Sequence, residues 1–162
     1  LSRFLTVQDY DNEDAWAAYR IGQAFESDLN LVNAALFYRK ATSLAPYHAE
    51  MMNKLGSLLV KTDSIAEARR IFSLVVNEHP RNDRAWVNLG YCEGKLNKPV
   101  QAFKSFEMAL RLNPDNVQAL INLAGLYVGR REFDLANELA LRAAILEPDN
   151  PQLKELMKVF NR

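Results

Sequence analysis

The sequence predicts an all-α fold, an α-solenoid of helix–turn–helix repeats, on three observations. Four prolines stand 34 residues apart: Pro46, Pro80, Pro114 and Pro148. Four alanines keep the same step 12 positions upstream: Ala34, Ala68, Ala102 and Ala136. Within each period, two stretches place apolar residues at spacings of three and four, as amphipathic helices do. Two residue types in one register over most of the chain specify stacked helical units that bury their apolar faces on their neighbours. Such an array favours a binding surface over an active site.

Numbering each repeat 1–34 with the proline at position 32 gives repeats at 15–48, 49–82, 83–116 and 117–150. Carried backwards, the register puts Phe4 at position 24, Val7 at position 27 and Asp11-Asn12-Glu13-Asp14 at positions 31–34. Residues 1–14 are therefore expected to be the second helix and turn of a partial upstream repeat. The expectation is a segment taken from a longer array.

The first complete repeat carries Ile21-Gly22, Phe25, Ala34, Tyr38, Ala41 and Pro46. The second carries Leu55-Gly56, Ala68, Phe72, Val75 and Pro80. The third carries Trp86, Leu89-Gly90, Ala102, Phe106, Ala109 and Pro114. The fourth carries Leu123-Ala124, Tyr127, Ala136, Ala143 and Pro148. Small residues at positions 8 and 20 let the two helices approach closely, and large residues at positions 7, 11 and 24 fill the space beside them. Proline at position 32 ends the second helix, because it pushes the preceding residue out of the α region. Asp63 and Asn97 fall in the turn between the two helices of a repeat, where short polar side chains tolerate left-handed geometry. Pro99 opens a second helix, where its missing N–H costs little. After the fourth repeat, Pro151 opens a last helix over 151–162. Leu153, Leu156, Met157 and Phe160 form its apolar stripe, with Gln152, Lys154, Glu155 and Lys158 outside it. A helix of this kind covers the open core at the end of an array, and little sequence is expected beyond Arg162.

The third repeat, Trp86-x-x-Leu89-Gly90 followed by Ala102-x-x-x-Phe106, Ala109 and Pro114, resembles the tetratricopeptide repeat, and the other three fit the same slots with substitutions. The resemblance implies a right-handed superhelix with the first, or A, helices on its concave face and the second, or B, helices outside. It also implies ligand contacts from positions 2, 5, 6, 9, 12 and 13. On this chain those are Trp16, Tyr19, Arg20, Gln23 and Glu26, then Glu50, Asn53, Lys54, Ser57 and Lys61. The third repeat adds Arg84, Asn88, Tyr91 and Lys95, and the fourth adds Gln118, Ile121, Asn122 and Gly125. Trp16, Tyr19 and Tyr91 are the expected exposed aromatic anchors, although Trp16 and Tyr19 equally suit packing on an upstream helix. Cations outnumber anions in this set, which favours a ligand with acidic groups. Asn88 and Asn122 share position 6, and a side-chain amide can both donate to and accept from a peptide backbone. The co-chaperone pattern that clamps acidic C-terminal tails is incomplete in either possible register.

Composition excludes other classes. Lysine plus arginine and aspartate plus glutamate both number 20, so the net charge is zero and no basic excess offers itself to nucleic acid. No apolar run approaches the ~20 residues that span a bilayer. His48 and His79 fall in turns with no metal-ligand spacing around them, and Cys92 sits at a core slot with no histidine beside it. No catalytic group, metal or cofactor is expected. The expected function is a protein-interaction scaffold that binds a peptide or partner helix. The alternatives are a non-catalytic recruiting domain of a larger enzyme or membrane-associated protein, and a self-assembly module.

Overall fold

A computed structural model describes the backbone of residues 7–160 and the side-chain surroundings of residues 13–160. The described residues form nine helices and no strands. Helix α1 spans Val7–Ser27, α2 Leu31–Leu44, α3 Ala49–Lys61 and α4 Ile65–Glu78. Then follow α5 at Asp83–Lys95, α6 at Pro99–Leu112, α7 at Val117–Gly129, α8 at Phe133–Leu146 and α9 at Pro151–Met157. The fold is an all-α helical-repeat array, and it divides at His79 and Pro80 into two compact units. Unit 1 holds α1–α4 and unit 2 holds α5–α9.

Each repeat closes around one contact between its two helices. A Cβ on Gly22 would stand 2.7 Å from the Tyr38 ring, one on Gly56 2.6 Å from the Phe72 ring, and one on Gly90 2.7 Å from the Phe106 ring. These glycines hold position 8 and the rings hold position 24, so the bare backbone of the A helix is the seat for the B-helix ring. The fourth repeat keeps the fit differently, with buried Ala124 at position 8 and buried Ala140 at position 24. The alanines at position 20 (Ala34, Ala68, Ala102 and Ala136) are fully buried beside this contact.

The turns inside the repeats share one geometry. Leu29, Asp63, Asn97 and Arg131 occupy the left-handed region with φ of 58°, 60°, 56° and 61°. The residue after each donates its N–H back to the last turn of the A helix: Asn30 to Phe25, Ser64 to Leu59, Lys98 to Glu93 and Glu132 to Tyr127. This is the Schellman arrangement, which satisfies carbonyls that a helix end leaves open. Between repeats, Asn82, Asn116 and Asn150 cap the following helix with their side chains, while His48 at the same position makes no such bond.

Positions 11 and 23 show how a core slot can change chemistry. In the first repeat they hold Phe25 and Phe37, stacked at 5.5 Å. In the third they hold Glu93 and Ser105, both buried, with the serine hydroxyl donating to the carboxylate at 2.7 Å. A buried carboxylate is tolerated where a donor meets it.

One expectation is corrected. The turn assigned to Asp11–Asp14 is helical, and α1 runs unbroken from Val7 to Ser27. The reason lies at position 32, which is proline at each turn between repeats but Asn12 here. Asparagine keeps the N–H that a continuing helix needs, and proline does not. Phe4 and the rest of residues 1–6 lie outside the described residues. At the other end α9 lays Leu153 on the fourth repeat, with Leu156, Met157 and Phe160 packed around Leu120, Ile121, Ala140 and Ala143.

Two glycine substitutions should move stability in opposite directions. Gly90→Ala forces a methyl into the Phe106 ring and should cost ~1–3 kcal/mol, as overpacking does. Gly125 has no neighbour within 4 Å of a built Cβ, so Gly125→Ala should gain up to ~1 kcal/mol of helix propensity. Denaturant melts of the two variants check both signs.

Candidate interaction faces on the A helices

Position 5 does not face solvent in either unit. Tyr19 is 4% exposed and Asn53 8%, and Val87 and Ile121 at the same position are equally buried. Tyr19 and Asn53 are therefore removed from the open face that the resemblance implied. The open residues of the A helices are those at positions 2, 6, 9 and 13.

In unit 1, Tyr19 turns inward. Its ring centroid lies 5.6 Å from that of Tyr38, and its hydroxyl donates to Glu50 at 3.3 Å. Burial, reinforced by the Glu50 charge, pushes its hydroxyl up to about 12. Trp16 is half-buried and meets Tyr19 edge-on at 5.4 Å and His48 edge-on at 5.0 Å. These are packing contacts inside the unit, so neither ring is a free anchor. Arg20 and Gln23 remain exposed.

The cations of α3 are also largely engaged. Lys54 reaches Glu26 at 2.9 Å and Lys61 reaches it at 2.6 Å. The Tyr38 hydroxyl donates to the same carboxylate at 2.8 Å. Burial alone would raise the Glu26 carboxyl, but the three donors outweigh it and bring it down to about 2. Two of the cations that made the face look basic in the sequence thus share one internal anion. Asn53 leaves its side-chain oxygen buried without a hydrogen-bond partner.

Unit 2 keeps its face open. Arg84, Tyr91 and Lys95 on α5 are exposed, and Asn88 is half-buried. The Lys95 ammonium lies 5.5 Å from the Tyr91 ring centroid. On α7, the Gln118 amide donates to the Asn122 oxygen at 3.3 Å and to Gln152 of α9 at 2.9 Å. Gln118 is thereby tied to the terminal helix. The Asn122 amide nitrogen is buried and has no acceptor. Beside it Gly125 and Gly129, and on α5 Gly94, have open space where a side chain would stand. The three glycines are not packing residues, unlike those at position 8. The Glu26 junction was not legible in the sequence, because its members come from α1, α2 and α3 and meet only in the fold. Glu93 was detectable as a charge at a slot that is otherwise Phe25, Leu59 and Tyr127.

The tetratricopeptide repeat family model matches residues 83–116, the third repeat. The type IV pilus assembly protein PilF of Pseudomonas aeruginosa is 29% identical over 127 residues, 77% of this chain and 50% of that protein. The peroxisomal targeting signal receptor of Yarrowia lipolytica is 28% identical over 133 residues, 76% of this chain and 21% of the receptor. The chain thus spans half the length of one relative and about a fifth of the other. The solved PilF structure superposes with a TM-score of 0.80 at 26% identity, over 91% of this chain and 69% of that one. The MamA crystal structure gives a TM-score of 0.80 at 19% identity, over 91% and 80%.

The Glu26 junction sets a pH dependence. Its folded carboxyl titrates near 2 against 4.5 for the free group. A depressed carboxyl contributes stability that is fully present above the free value and is lost as pH falls toward the folded one. Denaturant midpoints should therefore drop between about pH 5 and pH 2. Glu26→Gln should be less stable than the parent at neutral pH and should drop less over that window.

Proposed function

We propose, from the premise that the chain is built of tetratricopeptide repeats, that it is a protein-interaction module whose A-helix faces hold a peptide or partner helix. The observation that carries this reading is the α7 face of unit 2. There the Asn122 amide N–H lacks an acceptor next to the open space above Gly125. Residues three apart on a helix share a face, so a ligand backbone seated over Gly125 lies beside Asn122, whose amide turns outward from its buried position to meet a carbonyl. A helical glycine costs ~1 kcal/mol relative to alanine, and these glycines return no internal packing for that cost.

Arg84, Asn88, Tyr91 and Lys95 supply the neighbouring contacts. Tyr91 offers an aromatic surface, Asn88 a second amide, and Arg84 and Lys95 positive charge. That charge favours acidic side chains in the ligand. The preference belongs to unit 2, because Lys54 and Lys61 in unit 1 are paired with Glu26. Arg20 and Gln23, both exposed, extend the capacity for polar contacts on unit 1. A targeting-signal receptor and a pilus assembly protein among the relatives favour recognition over chemistry.

The test is affinity capture from extract of the source cells. The parent is compared with an Arg84→Ala, Asn88→Ala, Tyr91→Ala variant, after circular dichroism shows that both fold. Tyr91 is substituted rather than Tyr19, whose loss would disturb the core. The expected result is a partner retained by the parent and weakened about tenfold or more by the variant, the scale of losing one central anchor. A partner held equally by both would remove the interaction from this face.

A further inference from the structure

The B helices keep one side open in every repeat. Positions 18, 22 and 29 are exposed in all four, and position 25 shares their face at helical spacings of four, three and four. Helices α4 and α6 belong to repeats with a repeat before and after them in the chain, and these positions are exposed there too. Stacking further repeats at either end therefore does not cover this side.

On α4 and α6 the open stripe is mixed: Ala66, Arg70, Ser73 and Asn77 on one, Val100, Lys104, Glu107 and Arg111 on the other. On α2 and α8 it is divided into an apolar half and a charged half. Helix α2 begins with Val32 and Leu36, 82% and 60% exposed, and continues with Arg39 and Lys40, also exposed. Leu29, in the turn before α2, lengthens the apolar half. Helix α8 has the reverse order: Asp134 and Glu138 first, then Leu141 and Ile145, 49% and 83% exposed. The helix dipole accounts for acid early in α8 and base late in α2. It does not account for large apolar residues left in water along the remaining half of each.

Laid antiparallel, the two stripes match along their length. Val32 meets Ile145, Leu36 meets Leu141, and the Arg39–Lys40 pair meets Glu138, with Asp134 beyond it. Arg39 already holds Glu67 of α4 in a two-bonded pair, so Lys40 is the cation that reaches across. Arg142, beside Leu141, is turned to the Pro114 carbonyl at 2.9 Å and brings no second cation to the contact. The parallel arrangement sets Val32 and Leu36 against Asp134 and Glu138, which desolvates carboxylates on apolar groups. Two copies of one stripe, aligned over their full length, join their apolar halves only by bringing like charges together.

We propose that the chain self-associates through its B helices, the open stripe of α2 on one copy packing antiparallel on the open stripe of α8 of a second copy. The occupant is a second copy because each molecule carries both halves of the match. The two stripes differ, so the contact is heterologous. It uses no residue of the A-helix faces, which stay available to a separate ligand. A single helix pair is small beside the ~1,600 Å² of a standard interface, so the association is weak and concentration-dependent.

The test is sedimentation equilibrium of the whole chain from ~10 μM to ~1 mM, the range of weak interfaces. The average mass of the parent should rise above that of the monomer. Leu36→Lys and Ile145→Lys should each weaken association about tenfold or more, as for apolar anchors. An equimolar mixture of the two should restore it and stop at one copy of each, because one intact α2 and one intact α8 remain between them. Lys40→Glu and Glu138→Lys should each weaken association about twofold to fivefold, the scale of an exposed ion pair, and should recover it when combined in one chain. All four side chains are exposed, so every variant should melt as the parent does. A monomer at every concentration, association unchanged in Leu36→Lys or in Ile145→Lys, or a mixture that stays monomeric overturns the proposal.

Discussion

The seat of a ring on bare helix backbone is the contact on which the rest of this structure depends. Tyr38, Phe72 and Phe106 can reach Gly22, Gly56 and Gly90 only because those positions lack a Cβ. The approach fixes the separation of the two helices in a repeat. That separation in turn sets how deeply the position 20 alanines are buried. Where the fourth repeat replaces glycine by Ala124, it also replaces the ring by Ala140. The two partners change together, so the added methyl meets a small side chain where a ring would overpack it.

The array was legible in the sequence because its rules are local. Prolines end B helices, and small residues mark close approach; both recur every 34 residues. Asp63 and Asn97 could be placed in left-handed turns from residue type alone. Leu29 and Arg131 adopt the same geometry without that advantage, because the Schellman hydrogen bonds impose it. The turn expected at Asp11–Asp14 failed for an equally local reason, the missing proline at position 32. The faces were less legible. Positions 5 and 6 lie about 100° apart around the helix, and only the packing of α1 against α2 and α3 decides that Tyr19 is enclosed while Arg20 is open. Glu26 and Lys54 meet across 28 residues of sequence for the same reason, so counting charges along the open face overstated its basicity.

The two units use similar slots to different ends. Unit 1 turns its groups inward: Trp16, Tyr19 and Tyr38 pack on each other, and Lys54 and Lys61 close on Glu26, although the Asn53 side-chain oxygen stays buried without a partner. Unit 2 leaves an exposed ring, an amide without an acceptor and three glycines without neighbours. Unsatisfied polarity and unused space are costs within a single chain, and a bound ligand removes both. The protein-interaction reading rests on this difference and not on fold alone, since one fold hosts many functions.

Whether ring and glycine are fitted to each other is decided by a double-mutant cycle. Gly90→Ala is measured by denaturant melts in the parent and in a Phe106→Ala background, which recreates the pair found in the fourth repeat. The added methyl should destabilise the parent and be neutral or stabilising once the ring is gone, a coupling of ~1–3 kcal/mol. An equal loss in both backgrounds would contradict it, because the methyl would then be meeting something other than the ring.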